Sequence, residues 1–451
     1  MLGIVVSRAD KASAHIGEQL REVAEWTVET DDDRPDAEGG GEVWRADGVE
    51  LREFEPIHID LDGVAAAFDD PDLLAFASRH AGETGPLLTA HHTGNFGPAE
   101  FGGEDGQFAR ACPNAHKRVI EALETHAPDD YEVGMECTHH GPSDLDVPSM
   151  FVEVGSDDPQ WDDPAAAEAD ARAILDLREV AADAPAENGS RRHLVGLGGG
   201  HYVPRFTRIV RETDWAVGHI GADWALEDMG DPAENRDVLD RAMAASAADY
   251  AVVEGERPDL RAAVADLGYR VVSETWVQQT TGVPLSLVER IEDELGAVAD
   301  GVRFGEPAQG FDGGEDFDVV LADLPAELTT EAVGIDPEAA RAAVEERAVA
   351  FETSENGTRL GARMALERPG DRREVVAGLA AVLETKYESV DIEDDAVVAH
   401  EHAFDPQKAK TLGISEGPAF GKLSSGQAVE VGGERIDPEV VHVDRTHRYP
   451  L

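Results

Sequence analysis

The 451-residue sequence predicts an α/β fold: a three-layer domain with a mixed, largely parallel sheet, followed by a smaller α+β domain. Three observations carry this. Short apolar runs alternate with amphipathic stretches, as in layered α/β folds. Hydrophobic residues make up 41% of the chain, enough to build cores. The length is about three times the roughly 150 residues of a typical domain, so two domains are expected.

The elements follow in order. Leu2–Ser7 is a short apolar strand, and Ala12–Thr30 reads as an amphipathic helix with Ile16, Leu20 and Val23 on one stripe. Residues 31–41 (DDDRPDAEGGG) form a solvated loop. Phe68–His80 reads as helix, and Pro86–Ala90 as a buried strand that runs into HHTGNFGP. Asn114–Thr125 is helical; Tyr131–Cys137 is a strand ending in THHGP, and Met150–Val154 another strand. Asp163 caps a helix that opens with Pro164 and runs to about Val180. After a polar loop at residues 185–190, the strand His193–Leu197 ends in GGGHYVPR; a helix and the strand Trp215–Ile220 follow.

The charge balance excludes some readings and leaves others open. Asp and Glu number 94 against 38 Lys and Arg, a formal net charge of -56, and the surplus runs through the whole chain. The only lysines are Lys11, Lys117, Lys386, Lys408, Lys410 and Lys422. Such a chain repels itself in dilute buffer, whereas molar salt shrinks the Debye length to about 3 Å. We read the surplus as adaptation to a salt-loaded cytoplasm, not as a patch for basic partners. Two cysteines, Cys112 and Cys137, build no disulfide framework, which points to a reducing cytoplasm. No apolar run is long enough to span a membrane, and the first residues lack the look of a signal peptide.

Three strands end in loops rich in His and Gly. In open α/β sheets ligands sit beyond the carboxyl ends of strands, so the three loops are expected to converge on one site. The candidate ligands are His91, His92, Glu136, His139, His140, Glu153, His201 and His219. Imidazole with carboxylate is the ligand set of catalytic zinc, which keeps one position open for water. Adjacent side chains on extended backbone point in opposite directions, so one histidine of each pair is expected to reach a given metal. The lone His15, His58, His80 and His126 read as structural. The Gly198–Gly200 run fits neither nucleotide-binding glycine pattern, and no HExxH or CxxC occurs. Arg191, Arg192, Arg205, Arg208 and Arg211 are the densest basic stretch, suited either to phosphates or to acidic neighbours.

The segments HHTGN (91–95), ECTHHGP (136–142), SMFVEVGS (149–156) and GLGGGHYVPR (196–205), with the opening IVVSRADKAS (4–13), resemble the archaeal-type D-aminoacyl-tRNA deacylases. The resemblance covers residues 1–298. It implies a hydrolase of the ester between a D-amino acid and tRNA, a fold similar to the phosphorylase and peptidyl-tRNA hydrolase group, and two zinc ions per chain.

The roles rest on the chemistry of the residues. His91, His92, His139 and His201 are the expected metal ligands; Glu136, Glu153 and His140 are the catalytic candidates. One of the two glutamates would take a proton from water and return it to the leaving ribose hydroxyl. Backbone N–H groups of Gly198, Gly199 and Gly200 would stabilise the oxyanion, and Arg205 would hold acceptor-end phosphates. Phosphate contacts weaken as salt rises, so recognition is expected at the acceptor end of aminoacylated tRNA. No obligate protein partner is inferred, and a monomer is expected. Rival readings are a metal-dependent hydrolase of another small ester or amide, and a non-catalytic tRNA-binding protein.

Beyond residue 298 the resemblance stops. Residues 299–451 form an extension expected either to help bind tRNA or to stabilise the protein. Glu306–Asp316 reads as a linker, Asp336 with Pro337 starts a helix to Phe351, and Arg372–Lys386 is a second helix. Residues 412–429 have the look of a hairpin and resemble a segment of the tRNA-end-processing nucleases of the metallo-β-lactamase fold, without the HxHxDH metal motif.

Overall fold

Six consecutive buried residues make Leu2–Ser7 (β1) an interior strand. Around it lie β2 (Thr27–Asp31), β3 (Gly41–Ala46), β4 (Val49–Phe54), β5 (Leu73–Arg79), β6 (Leu87–His91), β7 (Glu132–Met135) and β8 (Ser149–Gly155). They form an eight-stranded sheet in the order β2-β3-β4-β1-β5-β8-β6-β7. The strands β4, β1, β5 and β8 are parallel; β6 pairs antiparallel with β8, and β7 runs parallel to β6. The computed structural model describes residues 1–187, 189–311, 318–355 and 357–451.

Helices α1 (Lys11–Val23), α2 (Pro113–His126), the single turn α3 (Asp158–Trp161) and α4 (Pro164–Leu175) pack on this sheet. The Asp10 carboxylate accepts from the Ser13 N–H to start α1, whose Ile16 and Leu20 are fully buried. Each such side chain contributes about 1.5–3 kcal/mol. Asp163 caps α4 through the Ala165 N–H, with Pro164 in the first turn as expected. Phe76 and Phe151 stack at 4.6 Å in a core with Leu61, Val64, Phe68 and Leu145.

A second sheet follows. The short pair β9 (Ala186–Glu187) and β10 (Ser190–Arg191) lies in the expected polar loop, of which Asn188 is outside the described residues. Then β11 (His193–Leu197), β12 (Ala216–Gly221), β13 (Tyr250–Val253) and β14 (Arg270–Val272) form a parallel sheet in the order β12-β11-β13-β14. The single sheet expected from the sequence is thus two, because β11–β14 pair only with one another.

The chain divides into two compact units, Met1–Thr281 and Gly282–Leu451; the sequence reading had set its boundary after residue 298. In the second unit, antiparallel sheets join helices Pro337–Glu345 and Asp371–Leu383 around Leu328, Val344, Phe351, Met364 and Leu379. Asp336 caps the first of these through the Glu338 and Ala339 N–H groups. Of the expected linker, residues 312–316 lie outside the described residues. No helix among the described residues is long and apolar enough to cross a membrane.

Several elements differ from the sequence reading: the helix expected to reach Phe351 ends at Glu345 and is followed by the strand Ala350–Ser354, and the helix expected to reach about Val180 ends at Leu175. Phe68–His80 holds the strand β5 and no helix: Leu73–Ser78 is buried throughout, and a run apolar on both faces carries no period to distinguish the two. The first helix ends at Val23 and the chain returns as β2, whose Thr27 and Val28 suit a strand. Residues 412–429 contain a helix, Pro418–Ser424, and the hairpin Val429–Val431 with Glu434–Ile436 comes after it.

Candidate metal and hydrolytic site

The sheet brings the histidine loops together where strand direction reverses, at β6 beside β8. His91 ends β6, opposite Phe151, and Glu153 stands mid-strand on β8, opposite Thr89 and Ser78. Glu136, Cys137, His139 and His140 follow β7, and His201 follows β11. The site therefore spreads over the face of an antiparallel pair as well as past strand ends, because β6 opposes β8 in direction.

His91, His139 and His140 are alike in their hydrogen bonding. Each Nδ1–H donates to a backbone carbonyl: His91 to His92 at 3.1 Å, His139 to Cys137 at 2.9 Å, His140 to Gly141 at 2.6 Å. That fixes the tautomer with the Nε2 lone pair free, as metal-binding imidazoles require. One ring nitrogen from each lies within 4.8 Å of the others. His91 Nε2 is buried with no hydrogen-bond partner, 3.5 Å from Glu153 Oε1. Burial lowers the His91 pKa to about 4 against the charge of Glu136, and burial with the neighbouring His91 lowers that of His140 to about 3, keeping both neutral.

Below them lies a carboxylate group. Glu136 is fully buried and accepts from His201 Nε2 at 2.6 Å, with His80 Nδ1 at 3.1 Å from its other oxygen. Burial alone would raise its pKa, but these two imidazoles, with His91 and His139, hold it well below the usual carboxylate range. Glu153 is pushed the other way, by burial first and then by the charge of Glu136. His201, despite burial, is raised to about 10 by Cys137 and Glu136. Ligand atoms of Cys137, His139 and His201 also lie within 4.8 Å of one another, as do those of His80, Glu136 and Glu153. These donor sets fit a zinc-like ion. A cavity of about 540 Å³ opens onto His80, His139, His140, Glu153 and His201, a size suited to a small ligand.

Other expected residues lie elsewhere. His92 points away: Nδ1 donates to the Gly218 carbonyl and Nε2 accepts from the Cys112 N–H, both at 3.1 Å. His219 is likewise spent, between Thr138 Oγ1 at 3.1 Å and the Ala109 carbonyl at 2.9 Å. Gly198, Gly199, Gly200 and Arg205 do not line the cavity. Gly198 and Gly199, at φ of 109° and 92°, shape a turn that uses their N–H groups on the Gly221 carbonyl and the Asp223 carboxylate, both at 2.8 Å. Arg205 stands 3.5 Å from Glu254 and 3.7 Å from Glu274; Arg208 donates to Glu274 at 2.7 Å, and Arg211 pairs with Glu124.

His80 joins the site although its sequence context reads as structural. Its Nδ1 faces Glu136, and its Nε2 shares a 3.0 Å hydrogen bond with the Tyr202 hydroxyl. The missed signal was positional: read as a strand, Leu73–Arg79 also ends in a histidine. Cys137, just past the end of β7, lies with Sγ 3.5 Å from His201 Nδ1.

Comparison with known proteins shows the family. The family model described as D-aminoacyl-tRNA deacylase matches residues 67–272. Proteins named D-aminoacyl-tRNA deacylase from Haloarcula marismortui and Natronomonas pharaonis are 59% and 54% identical to this chain, with all of both chains covered. The one from Halorubrum lacusprofundi is 54% identical, over all of this chain and 97% of its own length. A solved structure of a conserved protein of unknown function is 29% identical, with a TM-score of 0.54, and covers 62% of this chain and 98% of that one.

Proposed function

The chain belongs to the D-aminoacyl-tRNA deacylase family, and on that premise we propose how its residues hydrolyse the ester of a D-aminoacyl-tRNA with the help of zinc. The reaction releases a free D-amino acid and tRNA. The observation that carries the mechanism is the set of three imidazoles, His91, His139 and His140, each with Nδ1–H committed to a backbone carbonyl and Nε2 left for a ligand.

His91, His139 and His140 would hold one ion, and His201 with Cys137 offers a neighbouring pair of donors for a second. Zinc bound there supplies Lewis acidity for the ester carbonyl and for the attacking water. Glu136, held by His201 and His80, takes the proton of that water and returns it to the leaving ribose oxygen. Glu153, 3.9 Å from His80 Nδ1, helps orient the ring that faces Glu136. The turn at Gly198 and Gly199 shapes the loop that carries His201, in place of the oxyanion role the sequence suggested.

The catalytic unit, read from the sequence as residues 1–298, is carried by the compact unit Met1–Thr281, in the layered fold of the phosphorylase and peptidyl-tRNA hydrolase group, and the C-terminal extension assists tRNA binding. The acidic surplus suits a monomer working in a salt-loaded cytoplasm.

The test is deacylation of D-tyrosyl-tRNA against L-tyrosyl-tRNA in molar salt, with and without chelator. Loss of the D-ester alone, stopped by chelation and restored by zinc, is expected. Full activity in protein shown to be free of metal would overturn the zinc mechanism; equal loss of both esters would overturn the D-selective reading.

A further inference from the structure

Two large aromatic side chains stand exposed on the histidine cavity: Phe101 is 66% and Trp224 45% accessible. Their backbones are anchored to the loops that carry the chemistry. The Phe101 carbonyl accepts from the N–H of Gly141, next to His140, at 2.9 Å, and Asn95 Nδ2 holds the adjacent Gly102 carbonyl at 3.0 Å. Trp224 follows Asp223, whose carboxylate takes the Gly199 N–H at 2.8 Å, two residues before His201. The charged lining beside the rings is mostly acidic, Glu100 and Asp228, and the guanidinium of Arg79 lies 5.2 Å over the Trp161 ring. A phosphate gains little there, whereas a flat, uncharged ring gains contact area on either aromatic face.

We propose that Phe101 and Trp224 seat the terminal purine base of the aminoacylated strand, an inference that rests on the deacylase reading of the same site. The scissile ester joins the amino acid to the terminal ribose, so the base lies one sugar away from the reacting carbonyl. With that carbonyl at the His91–His139–His140 group, the base is brought to the cavity that the two exposed rings line. Stacking of this kind is far less salt-dependent than phosphate contact, which suits a chain of charge -56.

The experiment uses the full chain in molar salt and two RNA oligonucleotides ending in CCA, one intact and one with an abasic terminal ribose. The intact end is expected to bind on the order of tenfold more tightly. Phe101→Ala and Trp224→Ala abolish that preference, and Phe101→Tyr and Trp224→Phe retain it. In kinetics, the alanine variants raise KM for D-tyrosyl-tRNA by about tenfold with kcat little changed, and leave hydrolysis of D-tyrosine ethyl ester, which has no base, unaltered. Equal binding of both oligonucleotides by the unmodified protein overturns the proposal. So does an equal loss on both esters, which would assign the rings to the amino acid. A protein that prefers the intact end yet hydrolyses neither ester defeats the deacylase reading and leaves the base seat standing.

Discussion

Two histidine clusters flank the end of β6, and they differ in one respect. On the cavity side, His91, His139 and His140 each give one nitrogen to a carbonyl and keep the other free. On the far side, His92 and His219 have both nitrogens engaged, by Gly218 and Cys112 and by Thr138 and Ala109. His91, His92 and His219 are buried, His139 and His140 half-buried, and all five are held neutral, so neither protonation state nor residue type separates a site from a scaffold here. Unspent lone pairs do. A histidine that has used both nitrogens acts as a hydrogen-bonded strut, and one that has used only Nδ1 is preset to bind.

This contrast can be broken in order of expected effect. Glu136→Gln, which keeps the shape and removes the base, should lower kcat on D-tyrosyl-tRNA by about 10³-fold with tRNA affinity retained, measured by single-turnover deacylation. His92→Ala should act on the fold and not on the ion. It leaves the Cys112 N–H and the Gly218 carbonyl without partners and opens a cavity, at a cost of about 3 kcal/mol in denaturant titration. Its metal content, measured by elemental analysis, should match that of the unmodified protein, while that of His91→Ala falls.

The strut cluster also predicts a pH effect. Burial lowers the His219 pKa to about 4 in the folded chain, against about 6.5 unfolded. Between those values the unfolded chain binds the extra proton, so stability rises with pH there; it is lost as pH falls from 6.5 towards 4 and levels off below. The full effect is about 3 kcal/mol for this site, and His219→Gln should make the profile less steep in that window, read from unfolding midpoints at each pH, the other buried histidines supplying the rest of the slope. The smallest effect concerns Tyr202. Tyr202→Phe removes the hydroxyl from His80 Nε2 and should cost about five-fold in kcat with KM unchanged. A larger change in KM than in kcat would instead place Tyr202 against the substrate.

Much of the site was legible because its residues follow strands in plain motifs: HHTGN, ECTHHGP and GGGHY each mark a strand end, and β11 is found where the sequence puts it. At the end of β6 the alternation holds in direction, His91 facing the cavity side and His92 the Gly218 and Cys112 side. It failed for His139 and His140, since His140 adopts φ of 46°, a left-handed conformation that turns its ring back to within 4.5 Å of its neighbour's. No local pattern announces that departure. His80 was hidden by a different ambiguity, a run buried on both faces that reads equally as helix or strand. The glycines after β11 read as donors to substrate, whereas the N–H groups of Gly198 and Gly199 are already engaged within the turn. Identity of side chain was thus easier to read than its state of hydrogen bonding, which depends on partners far away in sequence.

The arginines after His201 bear on more than local pairing. Arg205, Arg208 and Arg211 each face a glutamate of the same chain. A cation that already carries an internal anion sheds few mobile ions from a nucleic acid when the two meet, and it is that release which makes most such complexes dissolve as ionic strength climbs. Affinity built without it should follow a shallow line on a plot of log K against log salt. The enzyme then holds its substrate at much the same strength whether the surrounding brine is dilute or concentrated, so long as the chain stays folded.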